Sequence, residues 1–299
     1  MQHSLLFQKY TSVKHLVYIH LVNFLSVYTK NEKILWMERG KLPLYQDTNG
    51  KKILYIAGVA LQVFPGDNFL APGKLTDHKL DLVSLIASHF STNNSDIFDV
   101  QIPTTDSIHI QPTDLTIASW LHRLTIKDHN WQPILDWGVD SQNSSYGSLC
   151  NSLRIFTTQH AYARCVSLIN LAKREGWIKT VENSTDSQPL LSVSSIPWLD
   201  HCQKLRFYQP DEIHLIQLLV RTVDDLAFRH IQDSINWLAV AEKLSSAFEK
   251  FWSNCPIWGY VKIHDLELAK ARIGVLILTQ VVIKYILEVK LGVTAISQL

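Results

Sequence analysis

A chain of 299 residues is long enough for two domains. Its composition, 46% hydrophobic and 18% charged, excludes a disordered segment and suits sizeable cores. The formal net charge is only +1 and neither half is strongly basic, so charge alone does not mark a nucleic-acid binder. Cys150, Cys165, Cys202 and Cys255 stand far apart with no CxxC or Cys/His ligand spacing. This predicts reduced thiols in a cytoplasmic protein, and no metal site. The first residues lack the charged start, apolar run and small-residue cleavage site of a secretory leader. Residues 16–28 and 273–289 are apolar, but His20 and Asn23 break the first, and Gln280, Lys284 and Glu288 the second. Both fall short of the roughly 20 apolar residues of a membrane span and are expected as buried helices.

In chain order, the apolar density of residues 11–30 predicts a helix buried on most of its surface. Asn49-Gly50 signals a turn. Residues 53–64 read as either strand or helix. A helix is expected over 79–90, with Leu80, Val83, Ile86, Ala87 and Phe90 on one stripe and Thr76 as its N-cap. Alternation over 97–103 and 107–111 predicts two antiparallel strands. Thr113-Asp114 then opens a helix over 115–124. Residues 126–150 are rich in Pro, Gly, Ser and Asn and read as a linker. Beyond it helices are expected over 151–175, 211–229, 233–252 and 265–290, with a loop over 178–198. The expected fold class is α+β: a small α+β domain over 1–125, the linker, and an all-α helical bundle over 151–299. Asp224-Asp225, with Arg221 and Arg229 nearby, reads as a charge pattern on one helix rather than a catalytic pair.

Three stretches carry a family likeness. The tail Phe251-Trp252-Ser253-Asn254-Cys255-Pro256-Ile257-Trp258, then Leu268-Ala269-Lys270-Ala271-Arg272-Ile273, then Leu291-Gly292-Val293-Thr294-Ala295, resembles the DALR anticodon-binding domain of class I arginyl-tRNA synthetases. Ile296 and Leu299 stand where that family writes Pro and Met. Gln159-His160-Ala161-Tyr162-Ala163-Arg164 is similar to the Q-Y-A-H-A-R helix that follows the family's catalytic domain, with Tyr and His exchanged. Residues 60–62, 85–87, 100–103 and 108–110 are similar, more weakly, to the N-terminal appended domain of the same enzymes, without its glycine.

The H-x-G-H segment and the K-M-S-K-like loop that such synthetases need for adenylate chemistry are absent from the sequence. The roughly 25 residues between the two similar regions are too few for a nucleotide-binding sheet, since one βαβ unit alone takes roughly 30. The resemblance therefore implies a non-catalytic protein that binds tRNA or associates with a synthetase, without cofactor and without catalytic residues. The alternatives are an arginine–tRNA ligase activity, ATP-dependent and either retained or supplied with a partner, and a protein–protein interaction module.

The candidate RNA contacts each have two readings. Arg272 is a phosphate or anticodon contact, or a structural arginine tying two helices. Trp258 and Tyr260 stack on unpaired bases or pack in the core, the role expected of Trp252. Lys262, Lys270 and Lys284 form a shallow basic rim or are solvated helix faces. Gln159 and Tyr162 share one helix face and Arg164 points to the opposite side, each placed for tRNA or for packing.

Overall fold

The computed structural model describes residues 11–28, 44–47, 52–58, 72–93, 95–104, 107–125, 149–181, 190–192, 196–228 and 235–298. Its elements are α1 (Val13–Tyr28), β1 (Leu44–Gln46), β2 (Tyr55–Ala57), α2 (Pro72–Asn93), β3 (Phe98–Thr104), β4 (Ser107–Pro112), α3 (Asp114–Thr125), α4 (Leu149–Arg174), β5 (Lys179–Val181), β6 (Leu190–Ser192), α5 (Pro210–Ala227), α6 (Trp237–Asn254), α7 (Tyr260–His264) and α8 (Leu266–Tyr285). The last helix widens into a π turn over Ile286–Lys290. Among the described residues, eight helices and a small antiparallel sheet make the fold α+β in the broad sense.

The N-terminal sheet runs β1-β2-β4-β3, antiparallel throughout. Strict alternation on β4 sends Ile108 and Ile110 fully inward. They meet Tyr55 and Ala57 of β2, also fully buried. Helix α2 covers the β3 side of the sheet with Val83, Ile86 and Phe90. It starts at Pro72, not after Thr76 as the sequence suggested, because proline fits a first helical turn that needs no N–H there. Leu80 lies off the buried stripe and is exposed. Thr113 caps α3, its Oγ1 accepting from Thr116 N at 3.2 Å.

In the second half α4, α5, α6 and α8 pack pairwise. Helix α8 is the hub, with every residue from Ala271 to Thr279 buried. It also receives α3 from the first half, so one continuous apolar cluster spans both regions. Residues 126–148, most of the expected linker, lie outside the described residues, and α4 begins at Leu149. So do the Asn49-Gly50 turn and residues 59–64 of the ambiguous stretch, whose described part is strand β2. The loop expected over 178–198 holds the β5–β6 ladder instead.

Asp224 does not belong to a surface charge pattern. It sits in the last turn of α5, fully buried, and joins the two halves. Its Oδ1 accepts from Ser12 Oγ at 2.7 Å and from Lys14 N at 3.0 Å; its Oδ2 accepts from Tyr55 Oη at 2.5 Å. Ser12 in turn caps α1, accepting from His15 N at 3.0 Å. The carboxylate thus faces the positive end of α1. Burial raises its pKa, against the opposing pull of its hydrogen bonds from Tyr55, Lys14 and Ser12. Asp224→Ala strands three buried donors, at about 1–3 kcal/mol each, and is expected to lower unfolding free energy in urea by about 3 kcal/mol or more. A raised folded pKa favours the native state below the unfolded value, about 3.9, and that advantage is lost as pH rises through the folded value. Wild type is therefore expected to lose stability relative to Asp224→Asn as pH climbs out of the ordinary carboxylate range.

Gly274 lets α8 approach the segment before α5. A Cβ there would stand 2.8 Å from Ile196 Cδ1 and 3.0 Å from Trp198 Cζ2. Both side chains are buried. Gly to Ala in a helix normally gains about 0.5–1 kcal/mol. Here overpacking, at about 1–3 kcal/mol, outweighs it, and Gly274→Ala is expected to lower the thermal midpoint.

Candidate nucleic-acid interface at the α6–α8 corner

Helix α6 ends at Asn254, and residues 255–259 turn the chain into the short helix α7. Cys255 and Ile257 point inward, 0% and 1% exposed, while Pro256 is exposed and Trp258 half-buried. Gly259 precedes α7 at φ 71°, a conformation that costs residues with a Cβ about 1–2 kcal/mol. Burial, then Glu212, pushes the Cys255 thiol up to about 11, and burial raises Cys165 as well, which disfavours the thiolate form of both.

Three tryptophans meet at this corner. Trp258 stacks on Trp177 with ring centroids 5.9 Å apart and planes 15° apart, and meets Trp252 edge-on at 6.4 Å. Trp177 arrives from the turn that ends α4. Lys262 Nζ lies 5.6 Å from the Trp177 ring and 2.6 Å from Glu175 Oε2. The indole N–H of Trp258 is buried with no hydrogen-bond acceptor among the described residues. Outside the pile stands Tyr260, 75% exposed, its ring 4.0 Å from that of His264. Ile263 is 76% exposed on the same helical turn. Lys270, half-exposed one helical turn into α8, has no partner among the described residues.

Arg272 does not reach this surface. It is 2% exposed; its Nε donates to Glu212 Oε1 at 2.6 Å, and its Nη1 donates to the carbonyl of Pro256. Glu212, fully buried in the first turn of α5, accepts on Oε2 from Tyr208 N at 3.0 Å and Gln209 N at 2.9 Å. Of the two readings of Arg272, the structural one fits this placement: the fork ties α5 to α8 and holds the carbonyl two residues before Trp258.

Gln159 and Tyr162 share a face as expected, but it is an inward one. Gln159 Nε2 donates to Thr294 O at 2.5 Å and its Oε1 accepts from Ile296 N at 2.9 Å, pinning the C-terminal tail to α4. Tyr162 Oη accepts from Gln280 Nε2 at 3.5 Å, a long contact. Both side chains are 5% exposed. Arg164 is half-exposed and without a partner among the described residues, but stands about 15 Å before the end of α4. Lys284, 40% exposed, lies 4.0 Å from Glu288 one turn on. The structure therefore gathers Trp258, Tyr260 and Lys262 at one corner, has Lys270 in the second turn of α8, and leaves Arg272, Gln159 and Tyr162 in the core. Sequence reasoning missed Trp177 and His264. The Gly176-Trp177 pair after a helix end was the available signal for the first.

A second concavity, of about 190 Å³, opens between the sheet and α5, with Ile117 and Phe207 inside and Lys52, Gln111 and Gln217 on its rim. Its one carboxylate, Asp114, is already engaged by Leu205 N at 3.3 Å and Lys204 Nζ at 3.9 Å. No helix of the described residues is long and apolar enough to cross a membrane.

Removing Arg272 leaves Glu212 buried and uncompensated. Arg272→Met is expected to cost about 3–5 kcal/mol in urea unfolding, and Arg272→Lys to recover only part, since lysine lacks the fork that reaches both oxygens.

No protein-family model, no curated protein and no solved structure matches the chain.

Proposed function

We propose that the chain is a non-catalytic tRNA-binding protein, and that the α6–α8 corner is the surface on which unpaired bases rest. The observation that carries this reading is the exposed Tyr260–His264 ring pair beside a pile of three tryptophans edged by Lys262. Flat rings on a rigid base suit nucleobases, whose stacking is worth about 1–3 kcal/mol each. The same segment carries the resemblance to an anticodon-binding domain, which makes tRNA the expected ligand. Arg164 is a backbone contact farther along α4. The cytoplasm is the compartment in which such a protein would meet its RNA.

A second reading has its own observation. Ile263 at 76% exposure and Leu266 at 40% lie beside Tyr260, an apolar set that also suits a protein partner such as a synthetase. The arginine–tRNA ligase alternative requires ATP and a catalytic centre supplied by another chain. Arginine- and tRNA-dependent pyrophosphate exchange by the purified protein would establish it.

Filter binding of bulk tRNA across a salt series tests the leading reading. With Lys262, Lys270 and Arg164 as the available cations, log affinity is expected to fall with log salt at a slope of roughly −2 to −3. Tyr260→Ala, on an exposed residue, is expected to weaken binding about 5- to 150-fold without moving the thermal midpoint. Undetectable binding at low salt, or binding indifferent to Tyr260→Ala, would remove the corner as an RNA surface. Capture of a partner protein after nuclease treatment, lost in Ile263→Asp, would favour the second reading.

A further inference from the structure

The turn before α5 gathers three side chains of different ligand chemistry. Leu199 and Leu205 pair as a single antiparallel bridge. Within it, Asp200 N donates to Lys204 O at 2.8 Å and Gln203 N to Asp200 O at 3.2 Å. Asp200 Oδ1 accepts from Cys202 N at 2.8 Å and Lys204 N at 2.9 Å. The bridge is set between two buried aromatics, Trp198 and Phe207, whose rings meet at 6.2 Å. On this tied frame the ligating atoms of Asp200, His201 and Cys202 all lie within 4.8 Å of one another.

We propose that Asp200, His201 and Cys202 form a surface site for Zn²⁺, with water as the fourth ligand. The donor set argues for this metal. A thiolate, an imidazole and one carboxylate suit a borderline, four-coordinate ion, whereas Mg²⁺ and Ca²⁺ take six or more oxygens. Zn–S and Zn–N bonds of about 2.3 and 2.0–2.1 Å set tetrahedral ligand–ligand edges of roughly 3.3–3.8 Å. From the 4.8 Å bound the donors need a contraction of up to about 1.0–1.5 Å on that scale, a movement asked of the exposed His201 and Cys202 side chains. Asp200 keeps Oδ2 for the metal while the two backbone N–H groups hold Oδ1, the outer-shell support that orients a ligating carboxylate. The nearest cations are engaged: Lys204 lies 3.9 Å from Asp114 and Arg206 pairs with Glu267. Binding releases the thiol proton to solvent. Cys165 and Cys255 are fully buried and do not compete.

Titration of the reduced, full-length protein with Co²⁺ tests the site. The expected result is one ion per chain, a near-ultraviolet thiolate-to-cobalt charge-transfer band, and displacement by Zn²⁺. Cys202→Ser should abolish the band. His201→Gln and Asp200→Asn should each weaken Co²⁺ by at least the about 10-fold that loss of an outer-shell partner costs. The metal-free variants should keep the wild-type thermal midpoint. The proposal is overturned by absence of the band, by a band that survives Cys202→Ser and so comes from Cys150, or by affinity unchanged in both His201→Gln and Asp200→Asn, the mark of a lone thiol.

Discussion

The α6–α8 corner is set by one buried ion pair. Glu212 and Arg272 are both taken almost wholly out of water, at 0% and 3% side-chain exposure. Desolvation of that kind costs several kcal/mol per ion and is offset only when the remaining lone pairs and protons find partners. Here they do. Glu212 takes two backbone N–H groups as well as the guanidinium, and Arg272 takes the Pro256 carbonyl as well as the carboxylate. Each of these bonds is also a positional constraint. The start of α5, the middle of α8 and the turn after α6 can dock in only one register. The tryptophans and Tyr260 inherit their positions from that register, because Pro256 is two residues from Trp258. Arg272 therefore serves the corner from beneath it, as a positioning residue rather than a contact.

Helix α5 extends the same device along its length. Glu212 is in its first turn and Asp224 in its last, about 18 Å apart along the axis. The first acid grips the second half of the chain. The second grips the first half, through Ser12, the N-terminus of α1 and Tyr55 on β2. Apolar packing around α3 and α8 is larger in area but weak in direction. Two buried acids at the ends of one helix supply the direction. Sheet and bundle are thereby referred to a common strut, and the stacked pair of His15 and Phe228 closes the seam at its C-terminal end.

Much of the element order was legible because periodicity reports burial. The alternation in 107–111 became β4, and the two apolar stretches with interrupting polar residues became α1 and α8. Roles were less legible than elements. Arg272, Gln159 and Asp224 are polar residues at long sequence distance from their partners, 60 residues in the first case and 135 in the second. A charged or amide side chain reads the same in a sequence whether it faces water or a buried partner. Only the fold decides, and it decided for burial in all three. Asp200, His201 and Cys202 are a different case. They carry no spacing motif because they are adjacent, and a tight bridge, not a spaced pattern, brings their donors together.

Charge and stacking make unequal contributions at the proposed RNA surface. Lys262 is shared between Glu175 and the Trp177 ring, and Lys270 is half-buried. A surface with two or three cations on a near-neutral chain would release few counterions and gain little from phosphates. Two exposed or half-exposed rings, at about 1–3 kcal/mol per stacked base, outweigh that contribution at physiological salt. Affinity of this kind is modest and favours unpaired bases over duplex, since a paired base does not offer its face. On the proposed reading, the corner would therefore be better suited to a loop or a single strand than to a duplex.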